Sequence, residues 1–165
     1  MADETTIVIK FEGGKIPIQG EVTIVGFEKQ LEAESFQEGY SNPRSGTGTG
    51  QTGGRTSASE VTISSHPSVH SNFLKKSMFE NNAFGTVTVS FLKMIGEKTE
   101  AYDIRTYKNV YITSYSMSKS GPHDMESWSF QGTEITASYM IQDPTTHALT
   151  EGSSSTLDIA GAATR

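Results

Sequence analysis

A chain of 165 residues with a net charge of −6 is long enough for a single domain with a real core, and its acidic balance argues against nucleic acid, which requires a basic surface. It has no cysteine, which excludes disulfides, thiolate catalysis and cysteine-held metals, and no apolar run approaches the roughly 18 residues of a membrane span. The sixteen glycines cluster in particular stretches, a pattern of a β-rich domain with long polar loops.

The N-terminus, Met1-Ala2-Asp3-Glu4, is acidic and lacks the apolar stretch of a signal peptide, so none is expected. Ile7, Ile9 and Phe11 alternate with Val8 and Lys10, predicting a first strand that ends at Gly13-Gly14. Ile16-Pro17-Ile18 reads as a short extended piece at an edge or turn, because Pro17 cannot donate to a ladder. Val22 and Ile24 lead into Phe27–Phe36. Phe27 and Leu31 also fit helical spacing there, and a long, bent strand is the reading adopted.

Between Gly39 and Ser59, six glycines sit among Ser, Thr, Asn and Gln, with nothing apolar enough to offset the entropy of ordering. A loop of this length inside a compact domain is functional or disordered. It contains Gly48-Thr49-Gly50-Gln51-Thr52-Gly53, a literal dinucleotide fingerprint that fails in context, since it neither leaves a strand nor opens a helix.

Glu60–Lys93 then reads as strand, helix, strand. Val61 and Ile63 alternate on one side, and Val87, Val89 and Phe91 on the other. Between them Val69 and Phe73, and Leu74 and Met78, are spaced to share a helical face. Pro67 suits the first turn, Ser65 or Ser68 is available as a cap, and Asn81-Asn82 stops the run. So short a helix must lie on a sheet. A turn at Ile95–Thr99 precedes strands through Ala101–Tyr107 and Asn109–Met117, and Ser120–Asp124 is another turn. Trp128 and Phe130, then Ile135, Ala137, Tyr139 and Ile141, mark the last strands before Asp143-Pro144. Residues 145–165 are small and polar and read as a tail rather than an arm on a neighbour.

No catalytic arrangement stands out. His66 and His70 are spaced to share a metal, but no third ligand is near and no Glu follows His66, so they read as polar residues at a helix start. Glu32 and Glu34 share a side if their segment is a strand, and read as a solvated face. His123-Asp124 is turn chemistry, and no nucleophile elbow accompanies the serines. The chain therefore reads as a non-enzyme with no cofactor or metal. One strand resists the bland reading: Val110 and Ile112 take one side of Asn109–Met117, and Tyr111, Tyr115 and Met117 the other. Either the helix covers the second face or another subunit does.

Three stretches carry a resemblance to a known family. They are the order strand Val61–Ser64, helix Phe73–Phe79, strand Val87–Lys93; the pair Glu100–Ile104 and Asn109–Ser116; and Glu126-Ser127-Trp128-Ser129-Phe130 running to Ile135–Tyr139. Together they resemble the haemolysin-coregulated protein (Hcp) family, the inner-tube subunit of type VI secretion systems. The resemblance covers most of residues 5–142 and rests on fold-pattern motifs, not catalytic signatures. The strand Phe27–Ser35 lacks the Trp common in the family, and residues 145–165 have no counterpart in it.

The resemblance implies a mainly β fold: a partly closed β-barrel of two packed antiparallel sheets with one short helix and an extended loop. The tube domain would span 1–144, with the loop at 39–59 and the polar tail at 145–165. It also implies homohexameric rings that stack into a tube inside a contractile sheath, a spike protein at the tip, small effectors as cargo, and no membrane insertion. Assembly would be in the bacterial cytoplasm, with expulsion to the extracellular space or a target cell. The loop would be loose in a free ring and ordered against the next. Candidate contact residues are then Tyr40, Asn42, Pro43, Arg44, Gly48, Gly50 and Arg55 of the loop, with Tyr111, Tyr115 and Met117 of the strand. A phage-like tail-tube protein shares the implied fold, and a monomeric β-barrel binding a small ligand or glycan is the alternative from another class.

Overall fold

The alternating runs at 7–11, 61–63, 87–91 and 135–141 are strands, whereas Ile16, Ile18 and Val22 are buried in a segment that forms none. The structure, a computed structural model, describes residues 5–45, 52–53, 56–95, 97–146 and 148–159. In chain order the elements are β1 (Thr6–Glu12), β2 (Leu31–Ala33), β3 (Ser35–Gln37), β4 (Tyr40–Ser41), β5 (Arg44–Ser45), β6 (Thr52–Gly53), β7 (Ser57–Ala58) and β8 (Val61–Ser65). There follow α1 (His70–Phe79), β9 (Phe84–Ile95), β10 (Lys98–Ser120), β11 (His123–Gln131), β12 (Glu134–Gln142) and β13 (Leu149–Asp158). The fold is mainly β, with one short helix.

β10 organises the rest. Its first half pairs with β9 and β12, and its second half with β11. One sheet therefore runs β2-β1-β9-β10-β12-β13 and the other β10-β11-β8-β3, every pairing antiparallel. The change of partner falls at Asn109, whose φ of 52° lies in the left-handed region that Asn tolerates better than most residues. The turn into β11 is Gly121-Pro122. Gly121 has φ of 61°, as the first loop position of a tight hairpin demands, and Pro122 needs no donor there.

The two sheets close on a shared core. Ile7, Ile9, Val87, Val89 and Tyr107 of the first meet Val61, Ile63, Ile112, Trp128 and Phe130 of the second. An aromatic chain stitches it: Phe84–Phe11 at 5.0 Å, Phe11–Trp128 at 5.8 Å, Trp128–Phe130 at 5.8 Å and Phe130–Tyr107 at 5.1 Å between ring centroids, all tilted or edge-on. The first sheet also has a small core on its other face, where Val8 and Leu92 are covered by Val22, Ile24 and Phe27. That explains why Val8, between two core isoleucines, is apolar too.

Three expectations are corrected here. Phe27–Phe36 is not one strand: Phe27 lies in a turn, its N–H donating to the Ile24 carbonyl, and the extended run begins at Leu31. It then breaks at Glu34, whose N–H donates to Ser64, so that β2 joins one sheet and β3 the other. The helix starts at His70 with Val69 at the N-cap position and no side-chain cap, because Ser65 is drawn to Glu126 instead and Ser68 donates its N–H to Ser71 Oγ. Its buried residues are His70, Ser71, Leu74 and Ser77, with Val69 exposed, a face rotated from the predicted one.

Two polar stretches also fold as ladders. In the glycine-rich segment β4 pairs with β7 and β5 with β6, forming a narrow ribbon. Residues 149–158, read as a tail from composition, pair with β12 as β13. Backbone hydrogen bonds do not depend on apolar side chains, and both ladders are polar in composition.

Candidate functional site: the ribbon root and the buried node

Two carboxylates organise the polar chemistry of this molecule. The first is Glu38, at the root of the ribbon. It accepts hydrogen bonds from Tyr40 OH at 2.9 Å and Tyr107 OH at 3.2 Å, and it pairs with Arg105. Arg105 also bonds Asp103, through Nε at 3.1 Å and Nη2 at 3.2 Å, and lies about 6 Å from the centroids of Phe36 and Phe91. Alternation along β10 places Asp103, Arg105 and Tyr107 on one face, opposite Tyr139, Ala137 and Ile135 of β12. Burial raises the Asp103 carboxyl above its ordinary value even with the guanidinium beside it. Burial chiefly raises the Tyr107 phenol as well, with Tyr40 and Asp103 adding to the effect and Arg105 opposing it.

Glu126 is the second. It is 0% exposed, yet four side chains converge on it: Ser65 Oγ donates at 2.8 Å, Ser71 Oγ at 2.7 Å, Tyr115 OH at 2.5 Å, and His70 Nε2 closes the set. Trp128 Nε1 donates to Ser65 Oγ behind them at 3.4 Å. Burial alone would raise the Glu126 carboxyl, but the donors outweigh it, His70 first, and hold it at about 2. Burial first, and then the hydrogen bond to Glu126, raises Tyr115 to about 12. Since His70 and Ser71 belong to α1, Ser65 to β8 and Tyr115 to β10, this node ties the helix to the second sheet.

Of the candidate loop residues, Tyr40, Asn42 and Pro43 are exposed together on the ribbon, with Asn42 Nδ2 donating to Thr56 Oγ1 at 3.0 Å across it. Arg44 opens β5 opposite Gly53. Gly48, Gly50 and Arg55 lie outside the described residues, as does most of the Gly48–Gly53 motif.

The strand candidates divide differently from the predicted way. A β-bulge at Thr113 shifts the register, so Ile112 faces Phe130 but Tyr115 faces Trp128. Tyr115 and Met117 therefore share the face of Ile112, and only Tyr111 points the other way. Tyr115 reaches Glu126 beside α1, with Lys75 Nζ 5.5 Å from its ring centroid. Met117 is partly exposed. Tyr111, 49% exposed, lines a depression of about 550 Å³ with Ala58, Asn109, Thr133 and Ile159.

The two histidines separate as well. His66 is exposed and pairs with Glu34 at 3.1 Å, whereas His70 is buried on Glu126. No group of three or more ligating side chains is assembled among the described residues. None of their helices is long and apolar enough to cross a membrane. The Glu126 node was missed from sequence, although a signal existed: Glu126, Trp128 and Phe130 alternate in phase, which places the carboxylate on the core face.

A sheet face remains open beside the ribbon root. Between Glu38, Tyr40 and Thr56 on one side and Ile135, Ala137, Tyr139 and Leu157 on the other lies a groove of about 540 Å³. Its floor continues the core face of the first sheet. Farther along β13, outside the groove lining, Gly152 is an extra residue, and Ile141 lies over it so closely that a Cβ would sit 2.6 Å from Ile141 Cγ1.

With this geometry in hand the comparisons are informative. No curated protein matches the chain by sequence. Among solved structures, a type six secretion system protein superposes with a TM-score of 0.82 at 21% identity, covering 95% of this chain and 97% of the other. A type VI secretion system effector from Yersinia pestis gives 0.69 at 16% identity, covering 92% and 98%. Hcp1 from Salmonella typhimurium gives 0.71 at 14%, covering 95% and 96%. At such identities these likenesses establish the fold. The profile of the family described as "Type VI secretion system effector, Hcp" matches residues 8–139, from β1 into β12. The chain belongs to the Hcp family of type VI secretion proteins.

Proposed function

We propose that this protein is a structural subunit of the inner tube of a contractile injection system. Hexameric rings of it stack into a tube that sheath contraction expels, with a spike at the tip and small effectors carried inside. The observation that carries this reading is the family match over 8–139 together with a fold shared with Hcp structures over nearly the whole of both chains. The tube domain of residues 1–144, extended by β13 on the edge of β12, acts by assembly, not catalysis. Assembly takes place in the cytoplasm before export. A long strand-rich surface suits this role, because a heterologous interface that closes makes a ring and one that does not makes a filament.

The test is solution mass by sedimentation, with negative-stain imaging of the same sample. Hexamers, as rings or tubes, are expected. Deleting Gly46–Gly54 is expected to leave rings intact and abolish stacking. A monomer at every concentration overturns the assignment and favours a ligand-binding barrel, for which the two grooves become the sites to screen.

A further inference from the structure

Three rows of neighbours cross the open sheet face beside the ribbon root. Counted from β10 through β12 to β13 they are Asp103–Tyr139–Ser153, Arg105–Ala137–Ser155 and Tyr107–Ile135–Leu157. Residues opposite one another in a ladder share a face, so the surface dips along the middle row, where Ala137 and Ser155 stand between larger neighbours. That dip is the groove of about 540 Å³, a size that holds a small molecule. Ile135 and Leu157 make one flank apolar, and Tyr139, 50% exposed and met edge-on by Tyr102 at 5.7 Å, makes the other aromatic.

The charge of the groove is one-sided. Glu38 and Asp103 bring two negative charges to its wall, and Arg105, the one basic residue of its lining, brings a single positive charge, which leaves a net −1. An anion entering here would face both carboxylates across a guanidinium already engaged through Nε, Nη1 and Nη2. A cation meets the opposite situation. Arg105 brings two hydrogen bonds to Asp103, about half of what an ionised carboxylate accepts, and burial raises that carboxyl because its charge is under-compensated.

We propose that this groove binds a small planar organic cation, an amidinium or guanidinium on a compact apolar body. The cation lies against Asp103 and Glu38, and the body stacks on Tyr139 over the Ala137–Ser155 dip. The net charge of −6 on the chain draws such a ligand toward the protein. Every residue of the site comes from one chain, so the inference does not depend on the tube reading.

The test is a ligand-observed NMR titration of the full chain with two probes: benzamidine, planar and positively charged at neutral pH, and benzamide, its neutral counterpart of the same shape. Saturable binding of benzamidine, about tenfold or more tighter than that of benzamide, is expected. Ser155→Trp fills the dip from an exposed strand without removing any hydrogen bond of the Glu38 cluster, and should abolish binding. Asp103→Asn should weaken it about tenfold and Tyr139→Ala about threefold. Glu34→Gln, the same loss of charge outside the groove, should leave it unchanged. Should Asp103→Asn fold poorly in thermal melts, Ser155→Trp and the benzamide comparison still decide the matter. Absence of saturable benzamidine binding, equal affinity for the two probes, or undiminished binding by Ser155→Trp overturns the groove as a cation site. The tube reading stands or falls separately, on the solution mass of the same sample.

Discussion

The node at Glu126 and the cluster at Glu38 are built from the same parts: a carboxylate, tyrosine hydroxyls and a basic side chain. They differ in what surrounds them. Glu126 is sealed beneath α1, with every donor supplied by its own chain and none of its surface left to solvent. Glu38 and Asp103 keep 18% and 14% of their side chains exposed, share one cation between them, and open onto a groove. A saturated, buried carboxylate holds the fold together. One with residual charge at a groove mouth has capacity left for a partner.

The comparison breaks most sharply at Glu126. Glu126→Ala strands His70, Tyr115 and two serines, and should cost roughly 3–5 kcal/mol, a fall in Tm of about 6–20 °C by calorimetry or thermal melts. The native protein should also lose stability in acid. Because the folded carboxyl sits at about 2, below its ordinary 4.5, its contribution is full above pH 4.5 and disappears as pH falls through 2. Glu126→Gln should flatten that part of the pH–stability profile, measured by denaturant titration at stepped pH.

At the other carboxylate the expected effect is smaller. Arg105→Ala leaves Glu38 and Asp103 half-buried without their cation, for a loss of about 1–3 kcal/mol, and should loosen the ribbon root before the sheets, read as faster amide exchange at Tyr40 and Ala58. A third pair bounds the scale from below. His66 and Glu34 are 59% and 52% exposed, so His66→Ala should shift stability by no more than about 0.5 kcal/mol. A large effect there would mean that exposure is the wrong way to rank these sites.

Period-2 alternation made β1, β8 and β9 legible, and Gly121-Pro122 marked its hairpin. Counting by twos failed at Thr113, because a bulge leaves no trace in composition yet reverses the face of every residue after it, Tyr115 among them. The helix was legible as a helix but not in its orientation: its buried face is largely polar, chosen by a carboxylate on a strand more than fifty residues away. β13 was illegible for a third reason. Its serines bury almost nothing, and it is defined by the backbone groups that β12 presents to it. The glycine-rich ribbon was legible as a long polar segment, while the groove exists only once β10, β12 and β13 lie side by side.

A strand shared by two sheets has a mechanical meaning. Load entering at one end of β10 travels along covalent backbone for 23 residues, on the order of 75 Å of contour. Its neighbours are attached by ladders that run beside it, so pushing along the strand loads those hydrogen bonds in parallel shear. Bonds loaded that way share the force and yield together, whereas a peeled hairpin fails rung by rung. A subunit driven forward in a sudden stroke would be stiffest along this spar, which turns from one sheet into the other at Asn109.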